Sequence, residues 1–274
     1  FSYKVLFNTG DDYLKSLPYY KFGITETSGQ YHSYDETTNE LTQLVNAHPS
    51  ISSCYSVGTS LQGRQLFMVK ISNSPGSENG KPNVLFMGCH HAREWISVEV
   101  PFYLAQDLIQ SYDTSTIVQN LVNNAQIYII PIVNPDGLAY SQLSSGSTWR
   151  LWRKNRRANA GGSYGVDLNR NYSYQWGGTY STNDPTAEDY RGTSAFSEPE
   201  TQAIRDFCNP RHMSASVSYH SYGELVLYPF GYDYVPAQDS SLLNSLATSM
   251  RNLIISTGGQ SYIAEQSVDL YPAA

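Results

Sequence analysis

The residues most able to do chemistry sit where a short apolar run ends. Residues 84–87 (VLFM) lead directly into Gly88-Cys89-His90-His91-Ala92-Arg93-Glu94-Trp95. His91 and Glu94 stand three apart at what reads as a strand-to-helix turn, so an imidazole and a carboxylate share one side of one turn. Zinc takes such nitrogen and oxygen donors, and a catalytic zinc has three protein ligands and one open position. A His-x-x-Glu pair alone is common by chance, so a third donor is needed from another strand end. The run 215–219 leads into His220, which has the right kind of position, although a lone histidine there is more often a core residue. His32, His48, His90 and His212 read as structural or surface groups. A third segment gathers cations: residues 152–157 (WRKNRR), followed by 165–171 (GVDLNRN). On its own it reads equally well as a solvated face.

These residues need a scaffold of alternating strands and helices. Ser33-x-x-Glu36 forms a capping-box pattern, with Leu41, Leu44 and Val45 at helical spacing after it. Residues 52–57 and 65–71 read as a hairpin pair. Residues 84–87 and 126–133 read as buried strands, the second closed by a turn at Asn134-Pro135-Asp136-Gly137. Residues 95–111 have helical periodicity. Ser197-x-x-Glu200 repeats the capping box, with Pro199 in the first turn. Residues 215–219 and 225–227 read as strands, and 242–254 as an amphipathic helix ending at Gly258-Gly259. Strands alternating with helices predict an α/β fold: a mixed, mainly parallel twisted sheet with helices on both faces. Functional residues then collect at the carboxyl ends of the strands.

Composition narrows the function classes. The 274 residues are 40% hydrophobic and 15% charged, which excludes an intrinsically disordered chain. Net charge is −7, from 17 basic and 24 acidic residues, which argues against a nucleic-acid partner. No apolar run reaches the ~18 residues of a membrane span. The polarity comes from Ser, Thr, Asn and 23 Tyr, a composition common among secreted enzymes. Three cysteines, Cys54, Cys89 and Cys208, read as buried thiols. The chain opens Phe1-Ser2-Tyr3, with no initiator Met, and is expected to have been trimmed there.

Five ordered motifs, 88–95 (GCHHAREW), 134–137 (NPDG), 151–154 (LWRK), 165–171 (GVDLNRN) and 219–232 (YHSYGELVLYPFGY), resemble the zinc metallocarboxypeptidases, in particular their pancreatic, digestive A/B group. The resemblance implies one zinc ion held by His91, Glu94 and His220, with Asp167 orienting a zinc-bound imidazole. It implies Arg153 as the oxyanion stabiliser, and Asn169 and Arg170 as the pair holding the substrate's terminal carboxylate. It also places Arg93, Ser221 and Tyr222 around the substrate, and Tyr271 as a tyrosine closing over it. The activity implied is release of the C-terminal residue of peptides, by a secreted monomer that acts in a digestive lumen and meets an activation domain or proteinaceous inhibitors. By resemblance, Ser221–Tyr222 and Pro229–Phe230 are candidates for cis peptides. Asn171-Tyr172-Ser173 is a formal glycosylation sequon and reads as a chance match.

Two departures from that pattern stand out. No cysteine lies between Cys89 and Cys208, so the group's disulfide near the Asp-x-Asn-Arg motif is absent. The group's general-base glutamate would follow Tyr271 and lie beyond Ala274, so residues 30–274 read as a catalytic domain incomplete at its C-terminus. This chain alone is therefore not expected to turn over peptides. Residues 1–29 resemble the close of an activation segment and its linker. Gly231 and Leu270, uncharged and placed at the specificity pocket by resemblance, lean toward aromatic or aliphatic C-terminal residues (A-type) over Lys or Arg (B-type). A non-catalytic zinc- or peptide-binding relative and a zinc amidohydrolase are the alternatives.

Overall fold

The computed structural model describes residues 31–143 and 151–270. The reading of residues 1–29 and the position of Tyr271 lie outside them. The described elements are α1 (Tyr34–Ala47), β1 (Ser52–Thr59), β2 (Gln65–Ile71), β3 (Asn83–Met87), α2 (Ile96–Gln110), α3 (Thr116–Asn124), β4 (Gln126–Ile130), α4 (Pro135–Ser141), α5 (Pro199–Cys208), β5 (Met213–Ser218), β6 (Leu225–Tyr228), α6 (Ser240–Ser256) and β7 (Ile263–Gln266). They fall into two compact units, divided after Ser221 and around residues 178–180.

The larger unit carries a five-stranded sheet in the order β1-β2-β4-β3-β5. The expected β1-β2 hairpin is antiparallel, as is β2-β4, whereas β3 runs parallel to both β4 and β5. In the smaller unit β6 and β7 are parallel. Three of these five pairings are parallel, which is the mixed, mainly parallel pattern expected.

Period-2 alternation divides the large sheet's side chains between two cores. Val69, Ile71, Ile127 and Ile129 face α1, α2 and α3, where Leu41, Phe102, Ile109 and Val122 close over them. Met68, Tyr128 and Ile130 face the other way, against Ile204 and Phe207 of α5. Helices thus cover both faces. Full burial of each such side chain contributes roughly 1.5–3 kcal/mol.

Local signals account for most element starts. The Ser33 capping box forms: Ser33 Oγ accepts from Glu36 N at 3.2 Å, and Glu36 Oε2 accepts from Ser33 N at 2.8 Å. Four expectations need correction. The Asn134–Gly137 sequence starts α4 rather than closing a turn, with Asn134 Oδ1 accepting from Gly137 N at 3.0 Å. α3 was not anticipated: it buries only Val118 and Val122 among polar residues, too weak a stripe to read. The second capping box does not form. Glu198 is the N-cap residue and makes no side-chain cap, and Glu200 turns inward to Asn155 instead. Of the two cis candidates only Pro229–Phe230 is cis; Ser221–Tyr222 is not. The three cysteines are free thiols, with Cys89 buried and the other two half-buried.

In the smaller unit α6 buries only Ala247, and its Leu242, Leu246 and Leu253 are exposed. None of the described helices is long and apolar enough to cross a membrane.

Candidate active site

The end of β3 is shaped to turn sharply. At Gly88 a Cβ would lie 2.1 Å from the Ser97 carbonyl oxygen and 2.7 Å from that of Pro131, so no larger residue fits. Cys89 follows with φ +54°. Its amide donates to Ser97 Oγ at 3.0 Å, and that hydroxyl donates to the Glu94 carbonyl at 2.6 Å, pinning the loop to the start of α2. Asn134 supports the same loop from β4's side, donating through Nδ2 to the His90 carbonyl at 3.1 Å. The Ala92 amide donates to the Arg153 carbonyl at 2.9 Å, which ties in the basic segment.

This loop and the end of β5 bring His91, Glu94 and His220 together, with one donor atom of each within 4.8 Å of the others. Glu94 Oε1 lies 2.7 Å from His91 Nδ1, and Oε2 lies 3.0 Å from His220 Nδ1. The two Nδ1 atoms are 3.1 Å apart. The Ser221 amide donates to Glu94 Oε2 at 3.1 Å. Two imidazole nitrogens so close cannot both present bare lone pairs to each other without repulsion. A proton or a cation between them removes it, and two neutral nitrogens plus a carboxylate are a donor set that zinc takes. The residues present therefore fit the metal.

Asp167 lies behind the triad, fully buried. Its Oδ1 is 3.3 Å from His91 Nε2, an electrostatic contact rather than an aligned hydrogen bond. Its Oδ2 accepts from Arg153 Nε at 3.1 Å and Nη2 at 2.8 Å. Burial pushes the Asp167 carboxyl up, but His91 and Arg153 outweigh it and hold it well below the usual range. Burial also opposes ionisation of Glu94, yet hydrogen bonds from His220 and His91 bring it down to about 2. Both carboxylates are thus ionised at neutral pH.

Asp167 also shapes the next turn. Its Oδ1 accepts from the Asn169 amide at 2.9 Å and caps the short 3-10 turn Leu168–Arg170. Leu168 is buried there, which leaves Asn169 exposed and Arg170 half-buried beside it. Arg93, between two ligands, is exposed and pairs with Glu188 at 3.0 Å. Ser221 is half-buried against Glu94. Tyr222 is fully exposed in the smaller unit. There Gly231 packs against Ser267, where a Cβ would lie 2.9 Å from Oγ, and Leu270 is exposed.

Several supporting residues were not singled out from sequence. Asn155 Nδ2 donates to Glu198 at 2.7 Å and Glu200 at 3.3 Å, while its Oδ1 accepts from Val166 N at 2.8 Å. It joins the segment bearing Arg153 to the one bearing Asp167. Asn171 is fully buried and donates through Nδ2 to Arg191 O, Ser194 O and Ser197 Oγ, which agrees with reading its sequon as a chance match. Of the four histidines set aside, His32 pairs with Glu99 at 2.7 Å and His48 bonds the Leu44 carbonyl at the end of α1. His90 differs: it is buried between Tyr172 and Ser218, and burial, with His220 and His91 nearby, pushes its imidazole well below its ordinary value. No local signal pointed to it, because its partner Ser218 lies 128 residues away.

Comparison with known proteins points the same way. A family profile described as zinc carboxypeptidase matches residues 37–274. A zinc carboxypeptidase of Saccharothrix mutabilis subsp. capreolus is 36% identical over 250 residues, covering 88% of this chain and 56% of its own. Metallocarboxypeptidase A of Arthroderma otae is 38% identical over 207 residues, covering 74% of this chain and 48% of its own. The chain thus spans about half the length of these curated relatives. Among solved structures, carboxypeptidase A from Helicoverpa armigera superposes with a TM-score of 0.80 at 28% identity, covering 95% of this chain and 64% of that one.

Proposed function

This chain belongs to the zinc carboxypeptidase family, and on that footing we propose that the full-length protein is a zinc-dependent hydrolase releasing the C-terminal residue of peptides. The convergence of His91, Glu94 and His220 within 4.8 Å, backed by buried Asp167, carries this reading. A zinc ion held by these three residues would lower the pKa of a bound water toward ~7 and so would supply a nucleophile at neutral pH.

The chain's own residues do the rest. His91 and His220 offer neutral Nδ1 atoms, and Glu94 offers its charge. Asp167 orients His91 on one side and Arg153 on the other. Arg153 keeps a fixed guanidinium beside the triad, where charge develops on the scissile carbonyl oxygen, and losing such a donor typically costs roughly 10²–10³ in rate. Asn169 and Arg170, turned outward on the adjacent 3-10 turn, hold the substrate's terminal carboxylate; a planar guanidinium suits that bidentate contact. This clamp makes the enzyme an exopeptidase, because an internal peptide bond offers no carboxylate there. Arg93, Ser221, Tyr222 and Tyr271 serve the substrate's remaining contacts. The substrates are peptides ending in aromatic or aliphatic residues, in line with uncharged Gly231 and Leu270 and with relatives named metallocarboxypeptidase A. The protein acts outside the cell.

Full-length protein incubated with matched peptides and read by mass spectrometry tests this. Free peptides ending in Phe or Leu should lose one residue, those ending in Lys far more slowly, and amidated peptides none. Cleavage of the amidated peptides, or binding without release, contradicts the proposal.

A further inference from the structure

The two imidazoles of the triad are supported unequally. His91 faces buried Asp167. His220, whose side chain is 30% exposed, is met on its Nε2 side by the Ser218 hydroxyl among the described residues. Its Nε2 lies 3.2 Å from Ser218 Oγ, that oxygen lies 3.1 Å from His90 Nδ1, and His90 Nε2 lies 2.9 Å from Tyr172 Oη. His90 itself is 2% exposed.

We propose that Ser218, His90 and Tyr172 are positioning residues that hold His220 as a metal ligand through one directed hydrogen-bond chain. The inference rests on the zinc reading above. For Nδ1 of His220 to offer a lone pair, its proton must sit on Nε2, where it donates to Ser218 Oγ. The Ser218 hydroxyl hydrogen then donates to His90 Nδ1, and His90 Nε2–H donates to Tyr172 Oη. In this direction each donor from His220 to His90 has an acceptor, and the chain ends at the Tyr172 hydroxyl. The reverse direction also satisfies the chain, but it ends with a proton on His220 Nδ1 and blocks ligation. The chain therefore couples the tautomer of a buried, non-ligating histidine to the tautomer of a ligand. The outer partners of a metal-bound histidine typically change metal affinity 10- to 100-fold.

Zinc titration of the metal-free full-length protein against a chelating dye tests this. Ser218→Ala leaves His90 Nδ1 without its partner, so it should lower the metal-free melting temperature somewhat and, as a separate effect, weaken zinc about tenfold. Ser218→Thr, which keeps the hydroxyl, should restore wild-type affinity, and the cobalt(II) absorption spectrum should shift in the Ala variant but not in the Thr variant. Tyr172→Phe should weaken zinc about threefold, the effect of one neutral hydrogen bond. If Ser218→Ala matches a zinc-binding wild type, or Ser218→Thr is as weak as Ser218→Ala, the inference is overturned and the metal centre stands. A wild type that takes up no zinc overturns both.

Discussion

The metal-ligand triad and the turn beside it share one carboxylate but are finished to different degrees. Asp167 supports both: its Oδ1 faces His91 and caps the turn of Asn169 and Arg170, while its Oδ2 binds Arg153. In the triad, His91 and Glu94 are buried and joined at 2.7 Å, with His91 Nε2 facing the Asp167 carboxylate, while His220 is more exposed. On the turn, Asn169 is exposed, and Arg170 Nη1 donates to the neighbouring Asn169 carbonyl at 3.1 Å. Groups that must be fixed before any ligand arrives are buried and mutually bonded, because an unpaired buried polar atom is costly. Asn169 and Arg170, which on this reading meet the substrate, lie nearer the surface.

If this division holds, changes in the two regions separate. The largest effect is expected at the triad. Glu94→Ala removes both a ligand and the partner of two imidazoles, and should weaken zinc by at least on the order of 10³-fold, read by dye competition. Arg170→Ala in the full-length protein should raise KM for free C-terminal peptides about 100-fold, the scale of a charged hydrogen-bonded pair, and leave zinc affinity at the wild-type value. A matching loss of zinc in Arg170→Ala would break the comparison. The smallest effect concerns the support that the regions share. Burial, with the charge of Glu198 adding to it, raises the Glu200 carboxyl to about 7. The ordinary value, taken for the unfolded chain, is about 4.3. Between these values the unfolded chain has lost the proton and the folded protein retains it. This group's contribution to stability therefore falls as pH rises from about 4.3 to about 7, and is flat above that. Glu200→Gln removes the slope, so its gain over wild type in urea unfolding should be about 2 kcal/mol larger at pH 8 than at pH 5. An equal difference at both pH values contradicts the placement of Glu200 as a buried, proton-retaining acid.

Much of the larger unit was legible because local signals agreed with global ones. Mostly apolar runs marked β3 and β4, and the Ser33–Glu36 box marked α1. His91, Glu94 and His220 were candidates from their spacing after two strand ends, and the resemblance to zinc metallocarboxypeptidases joined them into one ligand set. What the sequence hid depended on long-range partners. Glu200 has a capping spacing but is drawn inward by Asn155, 45 residues away. The Asn134 start is local by contrast, with its side-chain oxygen accepting from Gly137 N. His90 was set aside because nothing local distinguishes a histidine held by Ser218, 128 residues away, from an ordinary buried one. The exposed leucines of α6 fit an amphipathic helix in sequence, but which face is buried depends on packing rather than periodicity.

X-ray absorption at the zinc edge of the metal-loaded full-length protein tests the central claim most directly. The account predicts one zinc per chain with two imidazole nitrogens and carboxylate oxygen in its first shell, and loss of one imidazole in His220→Ala. Sulfur in the first shell, or an unchanged spectrum in His220→Ala, would contradict it.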